Sequence, residues 1–210
     1  MVESLLIYAD NRRVYIKLRK CIEYLCLRKL AAYKCKGVIA MTGSSKLMGR
    51  CEAFEKVKAW QALGKKVVFS NGCFDLLHAG HVEYLQAART LGDVLLIGLN
   101  SDASVRRLKG AGRPVCCEAD RAMVLSALQV VDAVTLFDED TPEELIGLLL
   151  PDVLVKGADW AIERIAGAQA VLDHGGAVLT LPLLEGRSTS SLIEKIIQHS
   201  SLSPNGSGTS

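Results

Sequence analysis

No apolar run in the 210-residue chain reaches membrane-spanning length. The longest, at 94–99 and 145–150, fall far short of the roughly 18 residues a span needs. The first ten residues lack the basic start, apolar middle and small-residue cleavage site of a secretory signal. The seven cysteines (21, 26, 35, 51, 73, 116 and 117) form no C-x-x-C pair. Their odd number and irregular spacing indicate neither a disulfide framework nor a zinc knuckle, and a reducing cytoplasm is the expected compartment. Net charge is only +2. Half the residues are apolar and 23% charged, the balance of a soluble globular protein with enough apolar surface to build a core.

The charge is unevenly spread. Residues 1–50 hold 11 Lys and Arg against 3 Asp and Glu, whereas 51–210 hold 14 against 20. The acidic balance of the larger part argues against a nucleic-acid partner. Residues 1–47 read as a basic N-terminal extension with a weak helical pattern (Val14, Ile16, Leu18, Ile22, Leu25, Leu30), a poorly packed appendage or a basic helix for a membrane surface or RNA. Met41 and Met48 precede the compositional change, so an internal start is a further alternative. Residues 48–199 read as the domain and 200–210, rich in Ser and Gly, as a disordered tail.

From residue 51 onward, apolar runs alternate with helical patterns. Strands are expected at 66–70, 94–99, 133–137, 152–156 and 177–181. The run at 94–99 is apolar throughout, the signature of a strand covered on both faces. Helices are expected at 52–63 (stopped by Gly64), 80–90, 102–108, 118–129, 163–173 and 190–198. One more begins with Thr141 as N-cap, Pro142 as first residue and Glu144 as capping acid, and ends before Pro151. The alternation predicts an α/β, Rossmann-like, five-stranded parallel sheet with helices on both faces. Ligands of such sheets bind beyond the carboxyl ends of the strands, where strand order reverses.

The most informative loop is Asn71-Gly72-Cys73-Phe74-Asp75-Leu76-Leu77-His78-Ala79-Gly80-His81. It leaves the first major strand and enters a helix. Gly72 permits unusual backbone geometry, and Gly80 lets a ligand approach the helix start. His78 and His81, three residues apart, share one face of the first turn. Free N–H groups and the positive dipole end there attract phosphate, and two imidazoles beside it can stabilise charge growing during nucleotidyl transfer. A metal site would need more ligands, and His174 and His199 belong to distant helices. Asp75 is expected to order the loop. Cys73 has no histidine base assigned to it, which argues against a thiolate nucleophile.

Other candidates sit at the remaining strand ends. Lys109 and Arg113 lie in a Gly/Pro loop suited to clamping phosphate. Arg187, Ser188, Thr189 and Ser190 precede or open the last helix, where hydroxyls and backbone N–H groups suit phosphate or a plain N-cap. Lys156, Asp159 and Trp160 end a strand; Asp159 could hold sugar hydroxyls and Trp160 could pack on a ring.

The H-x-G-H at 78–81 resembles the nucleotidyltransferase superfamily of cytidylyltransferases and pantetheine-phosphate adenylyltransferase. The further segments Gly92-Asp93, Asn100-Ser101-Asp102, Leu108-Lys109-Gly110, Gly112-Arg113-Pro114, 152–160 and 185–190 follow in order. Over residues 50–198 the combination is most similar to the D-glycero-β-D-manno-heptose 1-phosphate adenylyltransferase family. That family's domain often follows a sugar kinase domain; none is present here, so the stand-alone form is expected. The resemblance implies adenylyl transfer from ATP to the sugar 1-phosphate. His78, His81 and Lys109 would be catalytic. Asn71, Gly72, Cys73, Phe74, Gly80, Arg113 and residues 187–190 would bind nucleotide and phosphate, and Lys156, Asp159 and Trp160 the sugar. Mg²⁺ would arrive on ATP without a protein cage, and a homodimer is left open. In glycerol-phosphate cytidylyltransferases an arginine stands two positions before the Glu-Gly pair; here Leu183 occupies that place and Arg187 follows the pair. The alternatives are a cytidylyltransferase for glycerol 3-phosphate or a similar alcohol phosphate, and a nucleotide-binding regulatory module without turnover.

Overall fold

A computed structural model describes residues 45–158, 161, 164–182, 184, 186–200 and the backbone of 201. The N-terminal basic segment as far as residue 44, Asp159, Trp160, Leu183 and the 202–210 tail lie outside the described residues. Six strands alternate with seven helices among those described. They run β1 (Leu47–Met48), α1 (Arg50–Ala62), β2 (Val67–Gly72), α2 (Ala79–Arg89), β3 (Val94–Asn100), α3 (Asp102–Lys109) and α4 (Glu118–Ala127). There follow β4 (Ala133–Phe137), α5 (Glu143–Leu149), β5 (Val153–Gly157), α6 (Ala168–Asp173), β6 (Ala177–Leu181) and α7 (Thr189–Ser201). All strand pairs are parallel, in the order β1-β4-β3-β2-β5-β6.

The expected α/β sheet is therefore present, with six strands rather than five. The extra strand is two residues on the β4 edge, too short to show any periodicity. β3 is buried along its whole length, as its unbroken apolar run requires. Leu95, Ile97 and Leu99 of β3 pack with Leu85 of α2, Leu125 of α4 and Val153 and Val155 of β5 in one core. Gly64, at φ +74°, follows the end of α1 as expected.

Two helix starts differ from expectation. Pro142, not Thr141, is the N-cap of α5, since its carbonyl accepts the first helical bond, from Ile146 N–H at 2.8 Å. The helix expected over 163–173 begins only at Ala168. Gly167 before it has φ +81°, which breaks the helical path, and a Cβ there would lie 2.8 Å from Ile146. Among the described residues, Cys73, Cys116 and Cys117 are free thiols.

The amino ends of the strands are tied by carboxylates. Asp93 accepts the Lys66 N–H (2.7 Å), Asp132 the Leu95 N–H (2.8 Å) and Asp152 the Val67 N–H (2.8 Å). Each would otherwise leave a backbone donor without a partner at a sheet margin.

Candidate active site

Leaving β2, the chain builds outward through β3 and β4, then returns to lay β5 and β6 on the other flank of β2. The switch point lies between the carboxyl ends of β2 and β5, where such sheets bind ligands. β2 ends at Asn71 and Gly72; β5 ends at Lys156 and Gly157. Lys156 Nζ donates across the gap to the Asn71 carbonyl at 3.2 Å. Beneath it, Tyr84 of α2 is hydrogen-bonded to Ser70 Oγ (2.8 Å) and donates to the Val155 carbonyl (3.1 Å), linking both strands.

A cavity of about 340 Å³ opens here. It brings together eleven of the residues expected from the sequence: Asn71, Gly72, Cys73, Phe74, His78, Gly80, His81, Lys156, Arg187, Ser188 and Thr189. Tyr84, Gly157 and Leu184 complete the lining. Tyr84 was missed from the sequence, although its place three residues after His81 sets it on the same helical face.

His78 is the N-cap of α2 and His81 lies in its first turn, so both rings stand where backbone N–H groups are unpaired. The rings stack at 3.9 Å between centroids, 24° apart in plane. Phe74, at φ +43°, sets its ring 5.3 Å from that of His81. Burial, then the neighbouring His78, push His81 down to about 4. Burial, then the Arg187 charge, lower His78 as well. Both imidazoles are therefore neutral near pH 7. Their Nδ1 atoms and Asn71 Oδ1 are buried without hydrogen-bond partners. Buried polar atoms are normally satisfied, so three unpaired ones around one cavity make it the candidate site, with acceptors and donors left for a ligand.

Gly80 keeps the helix start open. A Cβ there would meet the His78 ring at 3.1 Å and Arg187 Cβ at 3.2 Å. Arg187 precedes α7, whose start is capped by Ser188: its Oγ accepts the Ser191 N–H at 3.1 Å. Two helix N-termini, those of α2 and α7, thus border one cavity, a field that favours anions.

Three expected residues lie elsewhere. Lys109 is exposed at the end of α3, outside the cavity lining, yet close enough for its charge to act on the Cys73 thiol. Arg113 donates from Nε to Asp75 at 2.5 Å. Ser190 is exposed on α7 and absent from the lining. Asp75 is buried and also accepts the N–H groups of Val115 (2.8 Å) and Cys116 (3.0 Å). Burial alone would raise its carboxyl; the Cys116 amide, the Arg113 guanidinium and the Val115 amide outweigh it and hold it below the usual carboxylate range. It organises its loop, as the sequence suggests. Burial pushes the Cys73 thiol up despite the cations around it, which disfavours a thiolate. Among the described residues no cluster of three or more His, Cys, Asp or Glu could hold a metal ion, and no helix is long and apolar enough to cross a membrane.

Residues 69–181 match the family described as cytidylyltransferase-like. The chain belongs to that family. The match includes the imidazole pair, the Asn71–Lys156 crossing and the core strands. The bifunctional protein HldE of Geotalea uraniireducens is 59% identical over 140 residues, which cover 67% of this chain and 29% of that protein. HldE of Trichlorobacter lovleyi is 53% identical over 154 residues, 73% of this chain and 31% of the relative. The chain thus spans about a third of the length of the curated relatives it matches. The crystal structure of the lipopolysaccharide core biosynthesis protein from Thermoplasma volcanium is 27% identical, with a TM-score of 0.48, covering 59% of this chain and 100% of that one.

Proposed function

We propose that the chain transfers an adenylyl group from ATP to D-glycero-β-D-manno-heptose 1-phosphate, giving ADP-heptose and pyrophosphate. The observation that carries nucleotidyl transfer is the stacked, neutral imidazole pair with unpaired Nδ1 atoms at a helix N-terminus facing the switch-point cavity. The choice of acceptor is supported by the identity to HldE proteins together with the motif order of the heptose adenylyltransferases.

In this reading an oxygen of the anomeric phosphate attacks the α-phosphorus of ATP. The bond from that phosphorus to the bridging oxygen breaks, and pyrophosphate leaves with the electron pair. Chemistry of this kind rests on positioning and charge stabilisation. His78 and His81 contact the triphosphate, whose negative charge raises their affinity for a proton. Arg187, Ser188 and Thr189 hold phosphate oxygens at the start of α7. Lys156 faces the sugar phosphate from the opposite strand, and Mg²⁺ enters as part of MgATP. The reaction belongs in the cytoplasm, where ATP is available, and its product would feed a surface glycan.

Pyrophosphate release is the test, measured with ATP and CTP against heptose 1-phosphate, glycerol 3-phosphate and related acceptors. Release is expected with ATP and heptose 1-phosphate. Release with CTP and none with ATP would overturn the adenylyl assignment in favour of an alcohol-phosphate cytidylyltransferase. Tight ATP binding without release in any pairing would leave a regulatory module.

A further inference from the structure

Arg121 is the largest of the fully buried side chains among the described residues, and no exposed atom remains on its side chain. It projects from α4 and donates three hydrogen bonds. NH1 reaches the Cys73 carbonyl (2.5 Å), Nε the Cys116 carbonyl (3.0 Å) and NH2 the Asp102 carboxylate (2.7 Å). Stability alone is a poor reason for a buried guanidinium, since apolar side chains of similar volume often replace buried ion pairs without loss. What the guanidinium offers is direction: a rigid planar fork that holds several acceptors at fixed angles.

The Cys73 carbonyl is where that direction matters. It belongs to the peptide leading into Phe74, whose φ of +43° lies in the left-handed region that residues with a side chain avoid. This turn seats the Phe74 ring between Gly72, where a Cβ would meet it at 3.1 Å, and the His81 ring, 5.3 Å away. His81 in turn stacks on His78. An unbroken series of contacts therefore runs from α4 to both imidazoles.

We propose that Arg121 is a positioning residue for the imidazole pair: by fixing the Cys73 carbonyl it holds Phe74 in its left-handed turn and so keeps His81 seated at the cavity. Its bond to the Cys116 carbonyl adds a second anchor, because Cys116 N–H is itself held by Asp75. The site loop and the 113–116 segment are locked to each other through one guanidinium and one carboxylate. The effect on turnover rests on the nucleotidyl-transfer reading; the effect on the His81 ring does not.

The test is Arg121→Lys in the full chain, which keeps the buried charge but cannot span two carbonyls and a carboxylate at once. Asp102→Asn, which loosens the far end of the fork without removing it, is the second variant should the first not fold. Leu125→Ala is the control, fully buried on the same helix and destabilising without touching the hydrogen bonds. His81 is read by NMR titration of histidine-labelled protein. From its wild-type position near 4, it is expected to move up by at least one pH unit in Arg121→Lys, by less in Asp102→Asn, and not in Leu125→Ala. Turnover in Arg121→Lys is expected to fall at least tenfold, with the nucleotide KM within threefold. A titration unchanged from wild type in both fork variants, or shifted equally by Leu125→Ala, overturns the proposal. An inactive wild type with the titration still shifted counts against the reaction and for the positioning role.

Discussion

The two ends of one parallel sheet treat their polar groups in opposite ways. At the amino ends, Asp93, Asp132 and Asp152 each accept a backbone N–H at 2.7–2.8 Å. At the carboxyl ends of β2 and β5, Asn71 Oδ1 and the Nδ1 atoms of His78 and His81 are buried and unpaired. A satisfied end contributes to stability; an unsatisfied end carries a desolvation cost that a ligand can relieve. The same fold thus separates its stabilising polar bonds from its unpaired polar atoms by the length of a strand.

Substitutions at the two ends should separate activity from stability. The largest effect is expected from His81→Ala: turnover should fall about 100- to 1000-fold, on the order of 3–4 kcal/mol of transition-state stabilisation, while the melting temperature at pH 7 stays close to wild type. Steady-state pyrophosphate release and calorimetry check both halves.

Acid should expose the cost of the unsatisfied end. The folded His81 is held near 4, below the unfolded value of about 6.5. Between those values the unfolded chain binds more protons, so stability falls as pH drops from about 6.5 towards 4, by up to roughly 3 kcal/mol. Denaturant titrations across that range should show the slope in wild type and a shallower one in His81→Ala.

Asp152→Ala should do the reverse of His81→Ala. It leaves Val67 N–H without its acceptor and should cost about 1–3 kcal/mol, read as a lower urea midpoint, with the catalytic constant within twofold of wild type. The smallest effect belongs to Gly80→Ala. Its Cβ would press on the His78 ring and Arg187 at 3.1–3.2 Å, so those groups must give by a few tenths of an ångström. A fall in turnover of about tenfold or less is expected, roughly 1 kcal/mol.

What was legible in the sequence is what local chemistry dictates. The unbroken apolar run of β3 announces a strand covered on both faces, and His-x-Gly-His announces a strand-to-helix turn, found between β2 and α2 at the cavity. Arg121 was not legible. In sequence it reads as a charge on an amphipathic helix, and its acceptors lie 5, 19 and 48 positions away, brought together only by the fold. Arg113 shows the same limit: a cation in a Gly/Pro loop suggests phosphate, but its distance to Asp75 is a tertiary fact. Thr141-Pro142 carried a familiar helix-start signal that the chain realises one residue later.

The most direct test is a crystal structure with a non-hydrolysable MgATP analogue. Phosphate oxygens within hydrogen-bond distance of both the His78 and His81 rings, over the N-terminus of α2, are the predicted result. A triphosphate bound elsewhere, with the two imidazoles stacked and unpaired as they are without it, would contradict the account.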